Sequence, residues 1–174
     1  MKGCLILFKA LIIDDDKEVR SDLKKYPKWA EFGFEIIAEA ANGEEALEKI
    51  ATSKFDLVFT DIRMPKIDGI ELLKEIKKAK QDLCVIFISS YCDFDFAKQG
   101  IILGAFDYIV KPIDEDSLDD VLKRAQQTLT EKWEKDQQNK RVVEKLEESL
   151  SYYYPIEHEQ KIALFLMEDN VQVQ

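Results

Sequence analysis

Residues 9 to 112 alternate between two kinds of hydrophobic pattern. Short apolar runs, rich in branched or aromatic residues, are separated by longer stretches in which apolar positions recur every three or four residues. The short runs predict β-strands, and the longer stretches predict amphipathic α-helices. The predicted strands cover residues 11–13, 35–38, 57–60, 85–89 and 108–110, and the predicted helices cover residues 17–29, 43–53, 67–78 and 93–103.

This alternation indicates the class of fold. Five strands that alternate with helices predict a parallel sheet covered by helices on both faces, which is an α/β architecture. In open parallel sheets, ligands and chemistry lie at the carboxyl ends of the strands. We therefore expect functional residues immediately after the predicted strands.

Beyond Pro112 the pattern changes to heptads. No glycine or proline occurs between residues 113 and 154, which predicts one long helix that continues the fifth helix. Its seam is apolar at both ends and polar in the middle, which is typical of a weak coiled coil whose centre sets the register. We favour a dimeric coiled coil over a single helix whose apolar ends pack on the sheet domain and on the segment that follows. The seam positions are Leu118, Leu122, Ala125, Leu129, Lys132, Asp136, Asn139, Val143, Leu146, Leu150 and Tyr153.

The patterns divide the chain into four parts. Residues 1–8 are interpreted as an extension before the first strand, residues 9–130 as the sheet domain, and residues 131–154 as a helical linker. Residues 155–174 contain a short apolar segment that cannot bury its own face, so we interpret them as the start of a further domain. Lys9 interrupts the early apolar run, which disfavours a signal peptide, and no run approaches the roughly 20 apolar residues of a membrane span.

Composition narrows the classes of partner. The 174 residues include 25 lysines and arginines against 35 aspartates and glutamates, for a net charge of −10. Nucleic acids and anionic membranes select basic surfaces, so neither is an expected partner of these residues alone. The three cysteines, Cys4, Cys84 and Cys92, form no CxxC pair, which disfavours a disulfide framework or a zinc site and favours a cytoplasmic location.

Charged residues follow three of the predicted strands. Asp14, Asp15 and Asp16 follow the first strand, Asp61 follows the third, and Lys111 follows the fifth. Each residue alone has an ordinary explanation, because aspartates after strands are common helix N-caps and turn residues. The carboxyl ends of neighbouring parallel strands meet at one edge of a sheet, however, so these side chains are expected to converge.

The charge balance indicates what such a cluster would bind. Three close carboxylates repel one another, and Lys111 compensates for only one negative charge. An all-oxygen site with few protein ligands suits Mg²⁺. A carboxylate beside a divalent cation and an ammonium group is a good phosphoryl acceptor, which makes Asp61 the expected nucleophile. Ser89, at the end of the fourth strand, either donates its hydroxyl to the added phosphoryl oxygens or caps the next helix, and its position favours neither role.

Four segments resemble the signatures of the response-regulator receiver domain of two-component signalling: LIIDDDKEVR, VFTDIRMPKIDG, VIFISSY and GAFDYIVKP. The resemblance covers residues 9–130 and implies a flavodoxin-like (βα)5 fold with strand order 2-1-3-4-5. It implies a phosphoryl acceptor that depends on Mg²⁺ and on a cognate sensor histidine kinase. Such a domain is not a conventional enzyme, and at most it catalyses its own phosphorylation and dephosphorylation.

The resemblance also implies roles for single residues at the metal and phosphoryl site. Asp61 would be the phosphoacceptor. Asp14 and Asp15 would hold Mg²⁺, with Asp15 as the direct ligand, and Asp61 and the backbone carbonyl of Arg63 would complete the metal site. Lys111 would contact the phosphoryl group.

Further implied features concern the response to phosphorylation. Ser89 and Tyr108 would form a switch pair, and the peptide bond before Pro112 would be cis. The switch would repack the face formed by the fourth helix, the fifth strand and the fifth helix. A homodimer is expected through this face, through the 114–153 helix, or through both.

A second set of segments resembles the receivers of AraC-type transcriptional regulators. These segments are FGFEII, EAANGEEAL and SSYCDFDFAKQGIILGAFDY. Such regulators carry a helical linker and a helix-turn-helix domain, and no helix-turn-helix is predicted in these 174 residues. DNA binding is therefore expected of a longer parent chain and not of this fragment.

Three alternatives compete with a transcriptional output. The first is a stand-alone phosphorelay receiver without DNA-binding output. The second is a haloacid-dehalogenase-like phosphatase with Asp14 as nucleophile, which needs a further acidic pair after Lys111. Residues 114–116 are acidic, but they are typical of the first turn of a helix, where negative charge interacts favourably with the helix dipole. The third is a pure dimerising scaffold, which predicts no Mg²⁺ binding.

Overall fold

The computed structural model describes residues 7–79, 81–89 and 94–153. Most of the predicted extension, residues 1–8, and all of the predicted further domain, residues 155–174, lie outside the described residues. The elements in chain order are β1 (Phe8–Ile13), α1 (Lys17–Lys25), β2 (Phe34–Ala40), α2 (Gly43–Thr52), β3 (Leu57–Asp61), α3 (Gly69–Lys78), β4 (Cys84–Ser89), α4 (Phe94–Ile102), β5 (Asp107–Val110) and α5 (Glu115–Tyr153).

The five strands form one parallel sheet in the order β2-β1-β3-β4-β5, which confirms the predicted order. The register aligns the carboxyl ends of the central strands. Ile13 at the end of β1 pairs with Thr60, and Asp61 at the end of β3 pairs with Ile88. The carboxyl ends of β1, β3 and β4 thereby lie at one edge of the sheet.

Helices cover both faces of the sheet, as the alternating pattern predicts. Leu11 and Ile13 of β1 belong to a core cluster that includes residues of α2 and α3. Ala10 and Ile12 of the same strand belong to a second cluster that includes residues of α1 and α5. This alternation follows from the strand geometry, in which successive side chains point to opposite faces.

The first helix is shorter than predicted, because it ends at Lys25 and not near residue 29. Pro27 has no N–H to donate, and it forces Tyr26 out of the helical region, to a ψ of 123°. Trp29 is instead buried beside the sheet. Its indole N–H donates to the carbonyl of Leu23 at 2.7 Å, and its ring meets Phe59 edge-to-face at 5.4 Å between centroids.

The last helix is continuous from Glu115 to Tyr153, as the heptad pattern predicts. The chain divides into two compact units, Met1–Thr130 and Glu131–Gln174, so the helix belongs to both. Although it is long, it is not apolar enough to cross a lipid bilayer, and neither is any other helix among the described residues.

The two apolar ends of the heptad seam have different environments. Leu118, Leu122, Ala125 and Leu129 are at most 7% exposed and pack in the second core cluster with the strands of their own chain. Val143, Leu146 and Leu150 are 52% to 59% exposed. The seam predicted for a coiled coil is therefore buried within the chain at its first four positions, whereas Val143, Leu146 and Leu150 are open to solvent.

This difference predicts unequal effects of truncation along one helix. We expect Leu122→Ala to lower the free energy of unfolding by about 3 kcal/mol, because it leaves a cavity in the core. The matched variant Leu146→Ala should change it by less than about 0.5 kcal/mol. Urea denaturation at low chain concentration measures both, and equal losses would contradict the assignment of burial.

Candidate functional site

Three carboxylates meet at the carboxyl edge of the sheet. Asp14 directly follows β1 and Asp61 ends β3, and the pairing of these strands places the two side by side. One carboxylate oxygen from each of Asp14, Asp15 and Asp61 lies within 4.8 Å of the others. The structure thus brings together the three aspartates that the sequence singles out.

Lys111 links two of these carboxylates. It follows β5, and its backbone N–H donates to the carbonyl of Ser89 at the end of β4 at 2.7 Å. Its Nζ donates to Asp14 Oδ2 at 2.8 Å and to Asp61 Oδ2 at 2.6 Å. The peptide bond between Lys111 and Pro112 is cis, as the resemblance implies.

The remaining oxygens of the buried aspartates accept main-chain hydrogen bonds. Asp14 Oδ1 accepts from the N–H of Asp16 at 2.9 Å, and Asp61 Oδ1 accepts from the N–H of Arg63 at 3.1 Å. The side chain of Asp16 accepts from the N–H of Glu18 and is the N-cap of α1. For Asp16, then, the ordinary explanation for an aspartate after a strand is the correct one.

Burial and the crowding of three carboxylates make negative charge unfavourable at this site. Asp14 is fully buried. Burial raises the pKa of its carboxyl group above 3.8, although the hydrogen bond and the charge of Lys111 act in the opposite direction. For Lys111, burial lowers the pKa, but hydrogen bonds to Asp14 and Asp61 outweigh it and leave the pKa above 10.5. Lys111 is therefore cationic, and its single charge faces three carboxylates.

These residues fit a divalent metal ion. Carboxylate oxygens are the hard donors that Mg²⁺ prefers, and the surplus negative charge suits a divalent cation. The side chain of Asp15 is exposed, which leaves room for water and a phosphoryl oxygen on that side. An open recess of about 420 Å³ adjoins the cluster. It is lined by Asp15, Ile62, Arg63, Met64, Pro65 and Asp68.

The two predicted switch residues lie on neighbouring strands. Ser89 is 1% exposed, ends β4 and pairs with Val110. Tyr108 lies in β5 opposite Phe87, is half-buried, and packs against the first core cluster. Ser89 therefore belongs to the carboxyl edge that carries Asp61, and Tyr108 lies two residues before the end of its strand.

Residues 10–123 match the model of the response regulator receiver domain. The chain belongs to the response-regulator receiver family. Its fold and the carboxylates at the ends of β1 and β3 agree with that membership.

Several relatives of this receiver are named as transcriptional regulators. The transcriptional regulatory protein HptR of Staphylococcus aureus is 42% identical over 125 residues, which are 72% of this chain and 49% of HptR. The receiver thus spans about half the length of the curated relatives it matches. A two-component transcriptional regulator AraC from Clostridium phytofermentans has 36% identity and a TM-score of 0.66, with 71% of this chain and 96% of that chain covered.

A second solved structure is a CheX–CheY–BeF3–Mg²⁺ complex from Borrelia burgdorferi. It has 36% sequence identity to this receiver and a TM-score of 0.60, with 66% of this chain and 86% of that chain covered. Mg²⁺ is named as a component of that complex.

The structure adds residues that the sequence patterns do not identify. In this receiver the loop between β3 and α3 is fastened to α2, where the N–H of Gly43 donates to the carbonyl of Ile67 at 3.3 Å and Lys66 pairs with Glu44. A Cβ at Gly43 would lie 2.6 Å from that carbonyl oxygen, so the close approach requires glycine. The Asn42-Gly43 pair is typical of a helix start and does not indicate this contact, because the partner loop is distant in sequence.

Arg20 of α1 is a second such residue. Its Nη1 donates to the main-chain carbonyl of Asp14 at 2.6 Å and approaches that of Asp15 at 3.4 Å. An arginine in an amphipathic helix is normally solvated, so the sequence offers no signal for this contact.

The acidic residues after Lys111 do not form the pair that a haloacid-dehalogenase-like site needs. Asp114 accepts from the N–H and the hydroxyl of Ser117 in the first turn of α5, as expected of a cap. Asp14, the nucleophile of that alternative, is fully buried and accepts a hydrogen bond from Lys111. Geometry and family membership both count against the phosphatase.

The raised pKa of Asp14 predicts that Asp14→Asn stabilises the metal-free receiver. Since the folded-state pKa lies above the unfolded value of 3.8, ionised Asp14 lowers stability at neutral pH, and the loss is relieved as the pH falls through the raised pKa. We expect a gain of about 1 kcal/mol at pH 7 that shrinks towards pH 4. Thermal unfolding without Mg²⁺ measures it.

The matched control is Asp15→Asn, which neutralises an exposed neighbour in the same cluster and should stabilise the metal-free receiver less than Asp14→Asn does at pH 7. Asp14→Asn would contradict the prediction if it were less stable than the wild-type chain at pH 7. That result would show that the lost bond to Lys111 outweighs relief of the buried charge.

Proposed function

We propose that this receiver accepts a phosphoryl group on Asp61 from a sensor histidine kinase, with Mg²⁺ as cofactor. The observation that carries the proposal is the meeting of Asp14, Asp15 and Asp61 with the cationic side chain of Lys111 at one edge of the sheet. Family membership and the Mg²⁺ named for the similar CheY complex support the same conclusion.

Each residue has a separate task in the proposed transfer. A carboxylate oxygen of Asp61 attacks phosphorus and forms the O–P bond, while the P–N bond to the kinase histidine breaks and its electron pair stays on the imidazole. Lys111 offsets negative charge on the transferring group. Asp14, Asp15, Asp61 and the backbone carbonyl of Arg63 would hold the cation. Bound Mg²⁺ would supply positive charge to the phosphoryl oxygens.

The proposed signal passes through Ser89 and Tyr108. The hydroxyl of Ser89 turns to the phosphoryl group, and the ring of Tyr108 turns inward into the space that this movement leaves. The change repacks the face formed by α4, β5 and α5, because packed side chains adopt discrete arrangements. Ser89 supports this role by its burial at the edge that carries Asp61.

We propose a transcriptional output for a longer, cytoplasmic parent chain. The supporting observations are the likeness to HptR and to an AraC regulator, and the fact that the receiver matches only 49% of HptR. The parent chain would bind DNA through a further domain. These 174 residues themselves are not proposed to bind DNA, because their net charge of −10 disfavours contact with a phosphate backbone.

A homodimer is proposed as the step between phosphorylation and output. The supporting feature is the exposed strip of Val143, Leu146 and Leu150 on α5, which has the spacing of a coiled-coil seam. The face formed by α4, β5 and α5 is the second proposed contact. Both lie on elements that a change at β5 would affect.

Phosphorylation at Asp61 can be tested with a small phosphodonor. We expect acetyl phosphate and MgCl2 to add one phosphoryl group to the wild-type chain, and Asp61→Asn to abolish the addition. The control Asp56→Asn changes the residue directly before β3 and should be phosphorylated normally. Intact-mass spectrometry reads the result. Addition that persists in Asp61→Asn, or that maps to Asp14, would refute the assignment.

Dimerisation through the exposed strip can be tested by light scattering. We expect phosphorylation to increase the dimer, and Leu146→Gln to weaken the phosphorylated dimer about tenfold, which corresponds to about 1.4 kcal/mol. The control Glu144→Gln changes a residue off the seam and should have no effect. Equal dimerisation with and without phosphoryl groups would count against the switch, and an unaffected Leu146→Gln dimer would exclude this strip.

A further inference from the structure

Arg20 contacts the main chain that carries two of the site aspartates. Its Nη1 lies 2.6 Å from the carbonyl oxygen of Asp14 and 3.4 Å from that of Asp15. Its side chain is 12% exposed, although it belongs to a surface helix. A buried guanidinium that binds carbonyl oxygens leaves the carboxylates of both aspartates available for other partners.

Arg20 is itself held by residues from neighbouring elements. Its Nε lies 3.5 Å from Glu39 Oε2 on β2. The carbonyl of Glu39 accepts from Lys49 Nζ at 2.6 Å, and the same Nζ donates to Glu45 Oε1 at 2.6 Å on α2. The guanidinium therefore lies between the end of β1 and the end of β2, where Glu39 balances its charge and Lys49 of α2 binds the main chain of Glu39.

The geometry requires the shape of arginine. Nη1 of the planar guanidinium donates to the carbonyl of Asp14 and approaches that of Asp15, while Nε faces the carboxylate of Glu39 at 3.5 Å as an ion pair without a hydrogen bond. The ammonium group of lysine has a single nitrogen, so it cannot contact the carbonyl of Asp14 and the carboxylate of Glu39 with separate nitrogens. Since Asp15 is exposed, the direction of its carboxylate depends on how its main chain is held.

We propose that Arg20 is a positioning residue for the cation site, which holds the Asp14–Asp15 main chain so that both carboxylates face the cation. This inference rests on the proposed Mg²⁺ site. Residues that orient metal ligands commonly change metal affinity about 10- to 100-fold when they are replaced. Arg20 acts through the main chain of the ligands and does not touch the metal.

The test is the affinity for Mg²⁺ alone, measured by calorimetric titration with MgCl2. We expect Arg20→Lys and Arg20→Gln both to raise the Kd about tenfold. The matched control is Lys24→Gln. Lys24 lies on the same helix and 3.7 Å from the same Glu39, but it is 48% exposed on its side chain. This control should leave the Kd unchanged.

Every outcome of this titration decides a point. If Arg20→Lys keeps the wild-type Kd while Arg20→Gln does not, charge and not position is responsible, and the inference is wrong. Equal loss in Lys24→Gln also overturns it. Failure of the wild-type chain to bind Mg²⁺ overturns the proposed function itself, whereas wild-type binding with unaltered Arg20 variants overturns only the inference.

Global destabilisation is separated from positioning by two further measurements. Circular dichroism and the urea midpoint report whether each variant is folded, and the Kd is compared only among folded chains. If Arg20→Gln does not fold, Glu39→Gln takes its place, because it removes the charged anchor of the guanidinium and leaves Arg20 intact. We expect Glu39→Gln to raise the Kd, and an unchanged Kd would overturn the inference.

Discussion

The contact of Lys111 with Asp14 and Asp61 is the interaction on which the site depends. Three carboxylates with oxygens within 4.8 Å of one another repel, and burial of Asp14 increases the cost. The ammonium group reaches both carboxylates only because a parallel sheet in this order aligns the ends of β1, β3 and β5 at one edge. Fold and chemistry are thus connected through strand order.

Crowded negative charge at this edge is unfavourable for stability and useful for chemistry. A protein that retains such a cluster gives up some stability for function, which the two core clusters on either side of the sheet can offset. The overall charge of −10 does not reveal this arrangement, because most of the acidic residues lie elsewhere in the chain. The location of three aspartates matters more than the total.

Sequence patterns predict most of this fold because hydrophobic periodicity and the residues that end helices and strands are local properties of the sequence. The strands follow from short apolar runs, and the cluster of Asp14, Asp15 and Asp61 follows from the charged residues at the ends of those runs. The first helix is predicted too long because its apolar spacing continues to residue 29, although Pro27 ends the helix before that point. Arg20 could not be predicted, because its partners are main-chain carbonyls and a glutamate on another strand, and no local pattern records such contacts.

The heptad seam of α5 shows a different limit of sequence patterns. A repeat of apolar positions states that a face is buried, but it does not state what buries it. The seam residues Leu118, Leu122, Ala125 and Leu129 are buried in a core cluster with strands of the chain's own sheet, whereas the polar seam residues Asp136 and Asn139 are exposed. Val143, Leu146 and Leu150 resume the apolar spacing and are exposed, and the proposed homodimer would bury them.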